Sequence, residues 1–537
     1  MKILPVATVL AFSLLQINVA RADQSVDAAT INRIVDEGMN HGQVVDLVEY
    51  LSDQIGGRMT NSPSMRKAEQ WSQEKLRSFG LKDVHAEGFD FGRGWWIESA
   101  DSRMVAPRSL ELRSIPIAWT PATNGTLTAP VIVAPIRHER DLGEWKGKVA
   151  GKIVLVSYPE PPKDETEPAF KRLDEAELGK LNSLRQPAYE TDDDKTMKER
   201  FSLIRKTSDF LAEEGALAIV RMSRSDDGLV HGEGRFPKVG ETLKLPEIEM
   251  AAEDYRRLAR LAKVGAVNIA INSNVHFEDQ DHKAYNIIAD LPGRDAKAGY
   301  VMAGAHMDSW VAADGAADNG AGCAVVMEAA RILSRLGVKP KRTIRFALWS
   351  GEEQGLYGSV AYVEQHLAKR PAPADPELAG FSSYFIKTYP IQTLPGFNDM
   401  AGYFNLDNGS GKIRGIYAEG NFAAIPLLRN WLAPFDSMGA NRVVAQNTGS
   451  TDHVVMTRLG LPAFQFIQDP LDYETKVHHT NLDTFDHLRT EDLRQAAVIM
   501  AAVLLDAAES EAPLPRNVLP TQPAKTDTFK YRDPAKN

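Results

Sequence analysis

Acidic and histidine residues are set among small residues at positions 306–320. The stretch HMDSWVAADGAADNG places His306, Asp308 and Asp318 among alanines and glycines. Imidazole and carboxylate groups are unfavourable to bury unless they are paired or bound to a cation. Small neighbours let the backbone bend tightly around such groups. The stretch therefore indicates a metal site, which would require further ligands from other parts of the chain.

Further candidate ligands follow predicted buried strands. The segments WSGEEQG, FNLDNG and VHHTNLDT supply Glu352, Glu353, Asp407, His478 and His479. Carboxylate and imidazole are the ligands that Zn²⁺ uses when a site keeps an open position for water. Each segment alone also fits a simpler structure, such as a hydrogen-bonded pair or a helix cap. The combination favours a metal site because neighbouring carboxylates repel each other unless a cation neutralises them.

The elements that would position these residues alternate between strands and helices from residue 285 onward. The sequence predicts strands at YNIIADL, YVMAGAHM, TIRFALWS, GYFNLDN and AFQFIQD. It predicts helices at GAGCAVVMEAARILSRLG, YGSVAYVEQHLAKR and TEDLRQAAVIMAAVLLDAAES. This alternation predicts an α/β fold in which helices sandwich a mixed, mostly parallel sheet. Polar residues at the strand ends would then meet at one edge of the sheet.

The part of the chain before residue 285 has a different pattern, with short β-rich runs such as TLTAPVIVAPI and GALAIVRMS around a polar segment at 158–200. We therefore predict a catalytic domain in two parts, 23–119 and 278–512, with a β-rich domain inserted at 120–277. A proline-rich segment at 370–400 is either a surface loop or a lid or oligomer contact. Residues 513–537 are predicted to extend over the surface or to be disordered.

Charge and cysteine content exclude several classes of protein. The formal net charge of −10 argues against a general nucleic-acid or anionic-membrane binder.

Residues 1–22 have the pattern of a signal peptide with cleavage after Ala22, and no other segment has the apolar length of a membrane span. We therefore expect a secreted or periplasmic protein. The single cysteine, Cys323, excludes an internal disulfide and is predicted to be buried in a helix.

The combined pattern GAHMDSW, GAADNGAG, WSGEEQGLYGS, FNLDNG and HHTNLDT resembles peptidase family M28, a family of co-catalytic zinc exopeptidases. The resemblance covers most of the chain and is nearest to the carboxypeptidase Q branch, whose catalytic domain carries an inserted protease-associated domain. Residues 120–277 are similar to that domain. The resemblance implies two Zn²⁺ ions, one held by His306 and Asp407 and the other by Glu353 and His479, with Asp318 bridging both.

The resemblance also implies roles for neighbouring residues. Glu352 would be the general base, and Asp308 would orient the His306 ring. His479 is preferred over His478 because it directly precedes Thr480 in the family's His-Thr-x-x-Asp-Thr pattern. The peptide bond between Asp318 and Asn319 would be cis, as in relatives. The stretch QNTGSTDH supplies four candidate substrate contacts, which are equally compatible with a structural turn: Thr448, Ser450, Asp452 and His453.

These inferences predict a secreted two-zinc exopeptidase that hydrolyses dipeptides or short peptides with a free α-amino group. Its expected partner is the peptide substrate, and a homodimer is left open. Two alternatives remain on the same fold: a one-zinc acyl transfer of the glutaminyl cyclase type, and a metal-free receptor or binding protein. The first would not need the full ligand set, and the second should lack ligands or Glu352.

Overall fold

The computed structural model describes residues 26–182, 193–235, 238, 240, 243–374 and 388–521. Three predictions fall wholly or partly outside these residues. They concern the signal peptide at 1–22, the middle of the 370–400 segment, and the tail beyond residue 521.

The described residues form two eight-stranded sheets and one two-stranded ribbon. In chain order the strands are β1 (Lys82–Asp90), β2 (Gly94–Ala106), β3 (Leu110–Glu111), β4 (Ser114–Pro116), β5 (Leu127–Val133), β6 (Ile153–Leu155), β7 (Ala218–Met222), β8 (Glu247–Met250), β9 (Asn268–Glu278), β10 (Lys283–Leu291), β11 (Tyr300–His306), β12 (Thr343–Trp349), β13 (Ala368–Lys369), β14 (Gln392–Thr393), β15 (Met400–Asn405), β16 (Ile413–Tyr417), β17 (Arg442–Val444) and β18 (Ala463–Gln468). The strands predicted from residue 285 onward are all present.

The α-helices are α1 (Ala28–Asn40), α2 (Val44–Glu49), α3 (Pro63–Ser78), α4 (Glu175–Lys180), α5 (Asp193–Glu213), α6 (Ala252–Leu261), α7 (Ala321–Arg335), α8 (Tyr357–Tyr362), α9 (Ile425–Leu432), α10 (His453–Thr457) and α11 (Thr490–Glu509). Short π-helical turns cover Tyr50–Ile55, Ala316–Gly320, Val363–Leu367 and Tyr473–Val477. Within the described part of the chain, no helix has both the length and the apolar character needed to cross a membrane.

The first sheet has the strand order β1-β10-β12-β11-β15-β18-β16-β17. Its central strands β12, β11, β15 and β18 are neighbours and run parallel. Strands β1 and β10 extend one side in antiparallel fashion, and β16 pairs antiparallel with β18 on the other. The predicted mixed α/β sheet is thus confirmed. The parallel centre brings the carboxyl ends of four strands to one edge.

Alternate side chains of β11 point into two separate cores, as the two-residue period of a strand requires. Val301 and Ala303 pack with α1, α2, α3, α7 and α11, whereas Tyr300 and Met302 pack with α8 and α10. Helix α7 is buried on nearly all sides and is mostly apolar, and its buried Glu328 and Arg331 form an ion pair at 2.8 Å. Within it Cys323 is a free, buried cysteine, as predicted.

The second sheet has the order β3-β2-β9-β5-β6-β7-β8-β4. Helix α6 packs on the face that contains Ile153 and Leu155, and α5 packs on the opposite face with Val154. We call residues 94–278, which form this sheet and its helices, the second-sheet unit. Its strands begin on the N-terminal side of residue 120, and its identity as a protease-associated domain stays a prediction.

The described part of the C-terminal tail lies along the first sheet. Leu514 is buried in its core. The main-chain N–H of Asn517 donates to the carbonyl of Gly460 at 2.9 Å, and Arg516 donates to the carbonyl of Met400 at 2.7 Å. Up to residue 521, the tail therefore extends over the surface of the fold.

Candidate metal centre

The carboxyl ends of neighbouring parallel strands bring the first candidate ligands together. His306 is the last residue of β11, and Asp407 follows the end of β15. His306 Nε2 lies 3.2 Å from Asp407 Oδ1 and 3.2 Å from Asp318 Oδ1. One imidazole therefore faces two carboxylates that come from different segments.

A second imidazole faces the other oxygen of Asp318. His479 Nε2 lies 3.2 Å from Asp318 Oδ2 and 3.0 Å from Glu353 Oε2. His478 Nε2 is farther from that Asp318 oxygen, at 3.7 Å, and its side chain is 37% exposed against 18% for His479. The geometry thus favours His479 over His478 and sets Asp318 between two pairs of ligands.

The oxygens of this cluster fit a cation. Glu353 Oε1 and Asp318 Oδ2 are buried, and neither accepts a well-aligned hydrogen bond from the described residues, although His479 Nε2 is close to Oδ2. One ligand atom from each of His306, Asp318 and Glu353 lies within 4.8 Å of the other two. Buried carboxylate oxygens without donors require compensation, and this donor set suits Zn²⁺.

Burial and crowding perturb the carboxyl groups of the cluster. Burial raises the pKa of Glu352 well above its usual range, although His306 opposes the shift. Burial also raises the pKa of Glu353 to about 7, against the effect of His479. Burial acts in the same direction on Asp318, but its two histidine partners hold its pKa well below the usual range. Carboxyl groups crowded in this way favour a bound cation that compensates their charge.

The small residues of the opening stretch allow close packing beneath Asp318. Gly315 has φ +62°, and a Cβ at this position would lie 2.4 Å from the Cβ of Ser309. A Cβ at Gly322, in the first turn of α7, would lie 2.2 Å from Asn319 Oδ1. The Asp318–Asn319 peptide is cis, in agreement with the prediction. Larger residues at the two glycines would clash with the loop that carries the central carboxylate.

Asp308 contacts the His306 ring through its main chain rather than through its carboxylate. His306 Nδ1 lies 2.9 Å from the main-chain oxygen of Asp308 and 3.7 Å from the nearest carboxylate oxygen. The carboxylate instead accepts the main-chain N–H groups of Glu352 and Glu353, each at 3.2 Å. The chain turns after β11, so the Asp308 side chain faces the end of the neighbouring strand β12. Asp308 thus orients the ring by its backbone and the two glutamates by its side chain.

A cavity of about 520 Å³ lies over the ligand cluster, and only two of the four candidate substrate contacts line it. Thr448 and Ser450 are on its wall. Asp452 and His453 are fully buried beneath it, where Asp452 accepts a hydrogen bond from Ser359. Asp452 directly precedes α10 and His453 is its first residue, and neither lines the cavity.

Two further residues, Asp483 and Arg58, hold the loop that carries Asp318. The Asp483 carboxylate accepts the main-chain N–H groups of Ala317 at 2.6 Å and Asp318 at 3.1 Å. The buried Arg58 guanidinium donates to carbonyl groups that include Gly315 at 2.7 Å. Asp483 lies in the segment HHTNLDT, but the spacing of that segment alone assigned it no role.

Other residues near the site have no local sequence signal. Arg235 and Tyr473 line the cavity. Glu233 Oε1 accepts a hydrogen bond from His479 Nδ1 at 2.8 Å, although the two residues are 246 positions apart in the chain. Arg235 and Glu233 both come from the second-sheet unit, which therefore borders the metal centre.

Comparison with known proteins gives relatives over most of the chain. Residues 286–504 match the sequence profile of Peptidase family M28. Carboxypeptidase Q from Rattus norvegicus is 24% identical over 500 residues, which cover 92% of this chain and 91% of that protein. Carboxypeptidase Q from Homo sapiens is also 24% identical, over 497 residues that cover 92% of this chain and 90% of that protein.

Solved structures share the fold. A Peptidase M28 precursor from Shewanella amazonensis has a TM-score of 0.64 at 23% identity, with 92% of this chain and 99% of that chain covered. BSAP, a zinc aminopeptidase from Bacillus subtilis, has a TM-score of 0.55 at 20% identity, with 87% of this chain and 95% of that chain covered. The profile match spans all the candidate ligands and Glu352. The region that holds the candidate metal centre, residues 286–504, therefore has the sequence profile of a peptidase of family M28.

Proposed function

We propose that the chain is a co-catalytic exopeptidase that uses two zinc ions to hydrolyse dipeptides or short peptides. The observation that carries the proposal is Asp318, whose two oxygens face His306 and His479 separately. Asp407 would complete one zinc site and Glu353 the other. When bound, two zinc ions polarise the scissile carbonyl and lower the pKa of water.

Glu352 is the proposed general base. It lines the cavity above the ligands, and its main-chain N–H is held by the Asp308 carboxylate at 3.2 Å. Adjacent glutamates cannot easily direct both carboxylates to one point, so Glu353 can ligate while Glu352 faces the attacking water. Glu352 would take the proton of that water and pass it to the leaving amine.

The size and lining of the cavity support a short substrate. A volume of about 520 Å³ suits a dipeptide or a slightly longer peptide. Thr448 and Ser450 on its wall are the proposed substrate contacts that remain from the sequence prediction. Arg235 adds a guanidinium to a wall otherwise rich in carboxylates, where it suits a carboxylate of the substrate.

The proposed location is the periplasm or the cell exterior, on the basis of the signal-peptide pattern at residues 1–22. A homodimer stays a prediction.

The one-zinc acyl-transfer alternative is weaker, since the complete ligand set converges around Asp318. The metal-free binding protein is weaker because Glu352 accompanies that ligand set at the cavity wall.

The test combines turnover with zinc content. The wild-type protein should hydrolyse dipeptides, lose activity with a chelator and regain it when zinc is added. Glu352→Gln should retain wild-type zinc content and lower kcat by about 10²–10⁴-fold, the usual contribution of a general base. Glu87→Gln, the same change on edge strand β1 away from the cavity lining, is the matched control. Normal turnover by Glu352→Gln would remove Glu352 as the base.

A further inference from the structure

The second-sheet unit contacts the loop that carries His479 through main-chain and side-chain hydrogen bonds. The N–H of Val230 donates to Asn481 Oδ1 at 2.8 Å, and the N–H of Asn481 donates to the carbonyl of Val230 at 3.1 Å. Asn481 is two residues beyond His479. These reciprocal bonds fix the segment around residue 230 against the loop that carries His479.

The same segment carries Glu233, which bonds directly to the His479 ring. Glu233 Oε1 accepts from His479 Nδ1 at 2.8 Å and from Arg224 Nη2 at 2.6 Å, and the Glu233 side chain is only 14% exposed. Because Nδ1 is engaged in this way, the opposite ring nitrogen, Nε2, faces Asp318 and Glu353. A carboxylate on the far nitrogen of a metal-binding histidine fixes the ring and its tautomer.

The backbone around Glu233 is itself held firmly. The N–H of Gly232 donates to Glu249 Oε2 at 3.0 Å, and the carbonyl of Gly232 accepts from Ala118 N at 2.9 Å. Gly234 packs so closely that a Cβ there would lie 2.0 Å from the carbonyl oxygen of Ala118. Glu233 thus projects towards His479 from a fixed position within the second-sheet unit.

The second-sheet unit also contacts the residues that precede His479 in the chain. Lys171 and Leu471 exchange two main-chain hydrogen bonds at 2.8 Å each. The hydroxyl of Thr475 donates to the carbonyl of Ala169 at 2.6 Å. His479 has φ +61°, an unfavourable conformation for a residue other than glycine, so external contacts of this kind help to maintain it.

We propose that Glu233 is a positioning residue for His479, which makes the second-sheet unit a working part of the metal centre. This inference rests on the proposed two-zinc function. Glu233 would not touch zinc or substrate. It would hold the imidazole so that Nε2 meets the ion beside Glu353, and its negative charge would strengthen the ring as a ligand.

The test measures zinc binding by the purified full-length protein in competition with a chromogenic chelator. Glu233→Ala should bind one of the two zinc ions about 10–100-fold more weakly, the usual effect of losing such a partner. Its lost activity should return as free zinc is raised, which a merely structural defect would not allow. Glu233→Gln should show a smaller loss because its amide oxygen can still accept from Nδ1.

Glu87→Gln is the matched control. Glu87 also bonds a histidine, His366 Nε2, at 3.0 Å, and its side chain is likewise 14% exposed, but neither member of that pair is a candidate metal ligand. This variant should bind zinc as the wild type does. If Glu233→Ala fails to fold, as judged by circular dichroism, Glu233→Gln decides the question by its zinc affinity.

Two zinc ions bound with wild-type affinity by a folded Glu233→Ala, or by Glu233→Gln if the alanine variant does not fold, would overturn the inference. So would a loss of activity that excess zinc does not restore. Neither result would affect the proposed function. That function fails separately if the wild-type protein itself binds fewer than two zinc ions.

Discussion

Replacing Arg58 with lysine tests how the loop that carries Asp318 is held. Arg58 is fully buried and donates to five main-chain carbonyls, those of Leu51, Gly56, Met307, Asp314 and Gly315, at distances of 2.7–3.1 Å. Three of these carbonyls lie between the His306 strand end and Asp318. Arg58→Lys keeps the positive charge, so its effect isolates the geometry of the guanidinium.

The expected loss follows from the number of donors. The carbonyls of Leu51 and Gly315 also accept main-chain N–H groups, whereas among the described residues Arg58 is the donor to Gly56, Met307 and Asp314. These three accept from two separate nitrogens, Nε and Nη1, so a lysine ammonium, whose three N–H groups lie at one point, should leave at least one of them unpaired. A buried polar group without a partner costs about 1–3 kcal/mol. The free energy of unfolding should therefore fall by about 1–3 kcal/mol in the lysine variant.

Urea denaturation of the zinc-free protein, followed by tryptophan fluorescence, measures this difference without a contribution from metal affinity. The matched control is Arg33→Lys, since the exposed Arg33 donates one hydrogen bond to a main-chain carbonyl, that of Leu336 at 3.1 Å. The control should change stability by less than about 0.5 kcal/mol. A similarly small change in Arg58→Lys would refute the proposed role of the guanidinium.

Three further predictions concern other buried groups. Burial raises the pKa of Glu69 from 4.5 to about 7, against the effect of Arg66. Protonation of Glu69 therefore stabilises the fold fully below pH 4.5, and this contribution is lost as the pH rises through 7. Urea titrations should then show that the free energy of unfolding of the wild type falls by about 3 kcal/mol relative to that of Glu69→Gln between pH 4.5 and 7. A difference in unfolding free energy that does not change with pH would contradict this. Burial raises the pKa of Cys323 to about 12, so thiol reagents at pH 8 should label the unfolded chain only, and rapid labelling of the folded chain would be inconsistent with this. Asp483→Asn should weaken zinc binding about 10-fold in chelator competition, because an amide can accept only one of the N–H groups of residues 317 and 318; wild-type affinity would disprove it.

The ligand cluster could be predicted because each candidate follows an apolar strand or a glycine-rich turn. Parallel strands end at one edge, so His306 and Asp407 had to approach each other once β11 and β15 were neighbours. Spacing alone could not choose between His478 and His479. That choice rested on a resemblance, and the distances to Asp318 now support it.

The direction in which side chains point could not be predicted from the sequence. Sequence places Asp308 two residues from His306 but does not show that the chain turns its carboxylate towards the next strand end. It likewise places Asp452 beside Ser450 without showing that one is buried and the other lines the cavity. The contact between Glu233 and His479 joins two parts of the chain 246 residues apart, so no local pattern could reveal it.

The number of zinc ions bound per chain tests the central claim most directly. After dialysis against trace zinc, elemental analysis of the purified protein should give two zinc ions per chain, and Asp318→Asn should hold fewer. One ion or none in the wild type would contradict a centre in which Asp318 is shared between two imidazole–carboxylate pairs.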